Sequence, residues 1–411
     1  MKKLLLTAFM ALLTIAGTYA SRQELTITVQ GKERKYCLVK SDAGFNKRIV
    51  FMLHGLGGTY NDFDANTVQA FANINFCNVI LPQALPEQDE TLLDLLDLIS
   101  GFKPDIADLK TALTKSAWGA NVYVTIDDLC KALGVTKEQL ETLITNYYPQ
   151  YKPYYDAGKL QINKTVYDIP FINELYTRYG WSTNSDMYVV GFSLGGAMTF
   201  HYAFAEEASS HLKKIASASG FVSKGVTVPS NYNIPTLMIN SKTDEVVPFD
   251  GGFFNRPIGN FVWDIAGERT ADITTINPDK PEDEQITLMD WASNPHDRFY
   301  LVNKADHTLI NDMKRLGLNI YDVIQDFLFD THVAADEATA DSKSLTVYPN
   351  PVEDIATVNM TGNYSIINMA GVTVSKGYTE GVIDMTSVNT GRYILTIETE
   401  NTVNRAIIIK K

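Results

Sequence analysis

Cysteine is scarce: Cys37, Cys77 and Cys130 are the only three in 411 residues. An odd count admits at most one disulfide with a thiol left over, which excludes a densely stapled scaffold. No Cys-x-x-Cys or His-x-x-x-His spacing occurs, so the common zinc patterns are missing, and no metal site is expected. None of the three cysteines sits at a strand-to-helix turn, which sets aside a cysteine nucleophile; buried structural thiols are the expectation. Basic residues are in deficit as well, 35 Lys and Arg against 48 Asp and Glu. The net charge of −13 argues against nucleic acid or an anionic membrane surface as a partner. Long apolar runs are missing beyond the first twenty residues, so no transmembrane segment is expected there.

What is present describes a soluble globular protein: 45% apolar and 20% charged residues, at a length that suggests one large domain and a smaller one. Met1–Ala20 reads as a signal peptide, with Lys2 and Lys3 as the charged start, Leu4–Ala16 as the apolar stretch and Thr18-Tyr19-Ala20 as the cleavage site. Its removal leaves 33 basic against 48 acidic residues, near −15.

Buried parallel strands are expected at Arg48–Leu53, Asn78–Leu81, Met187–Val190, Lys213–Ala218, Thr236–Asn240 and Phe299–Val302. Leu25–Val29 and Lys35–Val39 read as a hairpin turning at Gly31-Lys32, and Leu309–Phe329 as one long amphipathic helix. The alternation of strands and helices gives the α/β class, an open, mostly parallel sheet covered on both faces. Between Pro82 and Phe171 lie almost ninety residues, more than one crossover needs. This insertion, about 86–165, carries helical patterns at Leu92–Ile99, Ile126–Leu133 and Lys137–Tyr147, the last capped by Thr136. A tyrosine cluster follows, Tyr147, Tyr148, Tyr151, Tyr154 and Tyr155; it suits either a cap over a site or an inward-packed helical subdomain.

The strand at Met187 runs into Gly191-Phe192-Ser193-Leu194-Gly195-Gly196, after which helical spacing begins. Strand, Gly-x-Ser-x-Gly and helix together make a nucleophile elbow, in which a strained turn presents the serine and only small residues fit beside it. An acyl-transfer serine needs a base and an acid to orient that base, and on such a sheet they follow in the order Ser, Asp or Glu, His. Ser193, Asp244 and His307 satisfy that order, the last two just past the strands at Thr236 and Phe299. Glu245 and Asp250 are alternative acids. His54 ends an early strand and reads as structural; His201, His211, His296 and His332 lie in a helix, a surface stretch, before the last strand and in a linker. The loop Gly55-Leu56-Gly57-Gly58 offers backbone N–H groups, so the oxyanion hole is assigned to Leu56 and Leu194. This chemistry requires no cofactor.

These motifs resemble the α/β-hydrolase family, and within it a secreted branch of feruloyl esterases and polyhydroxybutyrate-depolymerase-like enzymes. The resemblance rests on Leu53–Gly58, Gly191–Met198, Asp244–Gly252 and Asp306-His307-Thr308, and covers residues 25–329 apart from the insertion. It implies a serine carboxylic-ester hydrolase acting on acyl or phenolic esters of plant polysaccharide. The branch usually has glycines before the histidine and Trp-Pro after His-Thr, whereas here Lys304-Ala305-Asp306 precede and Leu309-Ile310 follow. A serine peptidase of the same fold and a non-catalytic surface binding protein are the rival readings.

Residues 331–344, rich in Ala, Asp, Thr and Ser, read as a linker, dividing a catalytic domain at 21–330 from a β-sandwich at 345–411. Short strands are expected at Leu345–Tyr348, Ala356–Asn359, Tyr364–Ile367, Arg392–Ile397 and Ala406–Lys410. Val347-Tyr348-Pro349-Asn350-Pro351, Gly391-Arg392-Tyr393 and Lys410-Lys411 resemble the C-terminal sorting domain of the type IX secretion pathway. That resemblance implies export and a secretion-machinery partner. A carbohydrate-binding module is the alternative, and the tail holds no tryptophan for a sugar platform.

Overall fold

Alternate residues of the apolar segment Arg48–Leu53 serve two different cores. Ile49, Phe51 and Leu53 join one buried cluster, Val50 and Met52 the other, as the two-residue period of a strand requires. The computed structural model describes residues 22–42, 44–86, 111, 114–120, 122–161, 167–253, 255–267, 269–292, 295–329, 345–368, 373–399 and 403–411. The expected signal peptide, the helical pattern at Leu92–Ile99 and the linker at 331–344 lie outside the described residues.

Twelve strands precede the tail among the described residues. They are β1 (Gln23–Val29), β2 (Lys32–Val39), β3 (Arg48–Leu53), β4 (Asn78–Pro82), β5 (Tyr123–Thr125), β6 (Lys159–Gln161), β7 (Asp186–Phe192), β8 (Leu212–Ala218), β9 (Thr236–Ser241), β10 (Asp272–Ile276), β11 (Ile286–Trp291) and β12 (Asp297–Val302). Ten of them form one sheet, in the order β1-β2-β4-β3-β7-β8-β9-β12-β11-β10. From β4 to β12 every pairing is parallel, and the two edges are antiparallel. The chain runs outward from β3 to β4 and then returns to the other side of β3 with β7. That reversal opens a crevice at the carboxyl ends of β3 and β7, where ligands bind in open α/β sheets.

Helices Asp168–Tyr179 and Leu194–Phe204 cover one face, and Ala65–Asn75 and Ile320–Phe329 the other. In the insertion, the small β5–β6 sheet and helices Ile126–Leu133 and Lys137–Tyr147 add to the first face. Thr136 and Gln139 form a capping box at the second helix. The insertion is pinned at its far end by a buried ion pair, Arg34 with Asp168, and Gly119 N–H also donates to that carboxylate. Tyr151 is fully buried, Tyr148, Tyr154 and Tyr155 pack against the core, and Tyr147 faces solvent. The inward-packed reading therefore describes most of the cluster.

Three expectations need correction. The hairpin turns at Gln30-Gly31, both with positive φ (48° and 74°), while Lys32 already pairs with Val29. The long helix at Leu309–Phe329 is two helices, Ile310–Arg315 and Ile320–Phe329. Gly317 breaks it at φ 86°, and the Asn319 side chain accepts from Tyr321 N–H to start the second. The antiparallel edge β10–β11 went unforeseen because Asp272–Ile276 is polar and mostly exposed.

All three cysteines are buried and unbridged. No helix among the described residues is long and apolar enough to cross a membrane. In the tail, a three-stranded and a four-stranded antiparallel sheet share one core built on Val358, Ile366, Ile383, Leu395 and Ile408. Two of its strands, Thr373–Thr379 and Val382–Asp384, were not anticipated.

Candidate active site

Ser193 stands between the end of β7 and the helix Leu194–Phe204, with φ 53° and ψ −119°. A non-glycine residue pays roughly 1–3 kcal/mol to hold such a conformation. The surroundings enforce it. A Cβ at position 191 would lie 2.1 Å from the Gly195 carbonyl oxygen, and one at 195 would lie 2.2 Å from the Leu53 oxygen. Gly196 packs within 2.7 Å of the Gly220 Cα by the same measure, so the new helix lies close to the end of β8. Glycine is thus required at all three positions.

Ser193 Oγ lies 2.8 Å from His307 Nε2, and His307 Nδ1 lies 2.7 Å from Asp244 Oδ2. The other carboxylate oxygen of Asp244 accepts from Val246 N–H and Val247 N–H, both at 2.8 Å. Asp244 is buried, so both of its oxygens are held and its orientation is fixed. Ser193, Asp244 and His307, separated by up to 114 positions in the chain, therefore meet in one hydrogen-bonded line. Glu245 and Asp250 are exposed, and it is Asp244 that meets the histidine.

The histidine loop has supports that the sequence reading missed. Ser219, at φ 47°, donates from Oγ to the His307 carbonyl oxygen at 2.6 Å. Ser241 and Thr243 donate their hydroxyls to the Ala305 carbonyl at 2.9 and 3.0 Å, tying the loop after β9 to the loop after β12. Asp306 accepts from the Thr308 hydroxyl, the largest influence, and from Thr308 N–H and Leu309 N–H, and these bonds keep its carboxyl below the usual range. The positive φ of Leu309, 61°, follows directly after this turn. Serines and threonines at strand ends were a visible signal, but their partners lie tens of residues away.

On the other flank, the loop after β3 touches the serine itself: a Cβ at Gly55 would lie 3.4 Å from Ser193 Cβ. Gly57 N–H donates to Ser116 O at 2.8 Å and Gly58 N–H to Gly55 O at 3.2 Å, so both are spent. Leu56 keeps its place as a candidate donor of this loop. Leu194 opens its helix, so its N–H has no intrahelical carbonyl. His54 is buried; Nδ1 bonds Gly55 O at 2.8 Å and Nε2 lies 3.2 Å from Ala84 N. Those partners fix the neutral tautomer with the proton on Nδ1. Burial lowers its pKa to about 4, against a smaller raising effect of the Gly55 bond. Trp118 donates its indole N–H to His54 O at 2.7 Å, and Gln83 bridges Gly58 O, Ser116 Oγ and Tyr60 N.

The other described histidines stand elsewhere: His201 within the elbow helix, His211 beside Tyr176 and Trp181, and His296 bonded to Asp290, while His332 lies outside the described residues. Beside Ser193 and His307 opens a cavity of about 630 Å³, which reaches between Phe63 and the helix Ile320–Phe329. None of the five clustered tyrosines lines it.

The sheet order, the elbow after its central strand and the helices on both faces decide the architecture. The ten-stranded sheet and its helices have the α/β-hydrolase fold. Residues 346–411 match a family model described as a secretion system C-terminal sorting domain. No curated protein matches the chain. Among solved structures it is similar to a predicted CIB-like hydrolase from Thermoplasma acidophilum, at 14% identity, with 75% of this chain and 98% of that one covered and a TM-score of 0.40. It is also similar to esterase PE8, at 16% identity, 71% and 96% coverage and a TM-score of 0.39. A third likeness is to the acylaminoacyl peptidase of Pyrococcus horikoshii, at 11% identity and a TM-score of 0.40, covering 80% of this chain and 44% of the peptidase.

Proposed function

We propose that this α/β-hydrolase-fold chain is a serine carboxylic-ester hydrolase, with Ser193 as nucleophile, His307 as base and Asp244 as the acid that orients it. The observation that carries the reading is the line of two hydrogen bonds, Ser193 Oγ to His307 Nε2 and His307 Nδ1 to Asp244. Ser193 Oγ attacks the ester carbonyl carbon while its proton passes to His307 Nε2. Charge on the carbonyl oxygen is met by the N–H groups of Leu56 and Leu194. The tetrahedral intermediate collapses by breaking the bond to the alcohol oxygen, and His307 hands its proton to the departing alcohol. Water then attacks the acyl-enzyme, losing a proton to His307. That proton returns to Ser193 Oγ as the acid leaves. Asp244, held by two backbone N–H groups, keeps the imidazole in the productive tautomer.

The resemblance to feruloyl esterases supports acyl or phenolic esters of plant polysaccharide as the substrate class. The export route belongs to the same proposal: a signal peptide at 1–20, a catalytic domain at 21–330, a linker at 331–344 and a type IX sorting domain at 345–411. The match over residues 346–411 supports the last of these. Ser193→Ala is expected to abolish turnover of p-nitrophenyl esters, a loss of about 10⁶ in kcat. Retained turnover in that variant would remove Ser193 from the reaction.

A further inference from the structure

The cavity beside Ser193 differs in character between its mouth and its depth. Glu245 and Val246, both exposed, stand at the mouth, while Met52, Val190, Ile320 and Ile324 line the interior. Those four side chains are buried and carry no polar group to pair with a ligand atom. No lysine or arginine is among the described lining residues, and Asp62 and Glu245 are there, so an anionic acyl group meets no counter-charge. The Asp62 carboxylate is committed to Thr59 N–H at 3.1 Å in a capping box. About 630 Å³ is also the volume of a pocket for a sizeable ligand and far exceeds what an acetyl group fills.

From this lining, and resting on the serine-hydrolase reading above, we infer that the pocket takes the acyl half of the ester and that this acyl group is a neutral aliphatic chain of medium length. A chain esterified at Ser193 Oγ leads from the serine past Phe192 and Ala218 toward Ile324, replacing water against apolar walls as it goes. A phenolic acyl group would bring a hydroxyl into the same walls and lose its water without a partner among Met52, Val190, Ile320 and Ile324. Tyr321 is the one phenol in the lining, and burial, with a smaller effect of the exposed Asp64, pushes its pKa up. Of the other polar groups in the lining, Ser193 and His307 belong to the reaction centre and Glu245 stands at the mouth. Its depth selects by apolar length.

The test uses the full chain and p-nitrophenyl acetate, butyrate and octanoate beside methyl ferulate. Each methylene that enters the pocket is expected to raise kcat/KM by up to about fourfold. Octanoate should therefore exceed butyrate by tens of times, up to about two hundredfold. Ile324→Trp, which fills the pocket from its wall, is expected to collapse the octanoate-to-acetate ratio, with an unchanged melting transition as the control for folding. Ile320→Trp is the second variant should the first melt early. A preference for acetate or ferulate, or an unchanged ratio in a folded tryptophan variant, overturns the acyl assignment and leaves the hydrolase reading standing. No turnover of any ester and no labelling of Ser193 by a fluorophosphonate overturns both.

Discussion

The two flanks of Ser193 are built in different ways. On the proposed acid–base flank, Asp244 and His307 follow β9 and β12, which are neighbours in the sheet with Ser241 paired to Val302. The loops they occupy are held by each other and by the end of the neighbouring β8: Ser241 and Thr243 hold Ala305, and Ser219 holds the His307 carbonyl. On the glycine-loop flank, the segment His54–Gly58 is held from outside. Gln83 and Ala84 come from beyond β4, and Ser116 and Trp118 from the insertion, 64 positions from His54 in the case of the indole. One half of the candidate site is thus positioned directly by the sheet, and the other half depends on an added segment. The insertion's described contribution to the site is this buttress.

If that contrast is right, substitutions on the two flanks differ in size and kind. Asp244→Asn strikes the acid–base flank hardest, because an amide in that place favours the wrong imidazole tautomer. A loss of about 10³–10⁴ in kcat on an ester substrate is expected, with little change in KM. Trp118→Phe keeps an aromatic ring against His54 and deletes only the indole N–H bond to its carbonyl. Since it disturbs a donor loop without removing a donor, a loss of about tenfold in kcat is expected, below the hundredfold or more for losing a donor outright. An equal loss in the two variants would erase the contrast.

The third effect is one of stability. Burial holds the pKa of His54 at about 4, below its ordinary 6.5, so the folded protein favours the neutral ring. The unfolded chain binds the proton first as the solution is acidified. The contribution is therefore complete above pH 6.5, falls as pH drops toward about 4, and changes no further below it. On the order of 3 kcal/mol is at stake over that window. Urea unfolding at a series of pH values should show a shallower acid loss in His54→Asn than in the parent chain, and parallel curves would contradict the buried neutral ring.

The legible parts of the molecule were those whose causes are local. β3 and β7 show as apolar runs because both of their faces are buried, and the elbow shows because its glycines answer clashes within a few residues of Ser193. The order of Ser193, Asp244 and His307 was readable because each follows its own buried strand. β10 was not, since its exposed polar residues take their strand form from pairing with β11. The break at Gly317 was hidden by apolar spacing that continues across it from Met313 to Ile320. The Gln83–Ser116–Trp118 buttress depends on contacts between segments that nothing in their own composition brings together. For the same reason the tyrosine cluster read equally well as a cap or as core until Tyr151 was found buried.

The most direct measurement is covalent labelling of the full chain by a fluorophosphonate, followed by intact mass and peptide mapping. The account predicts one adduct, on Ser193, that is absent from Ser193→Ala and strongly slowed in Asp244→Asn. An unlabelled Ser193 in a chain that still hydrolyses esters, or an adduct on another residue, would contradict it.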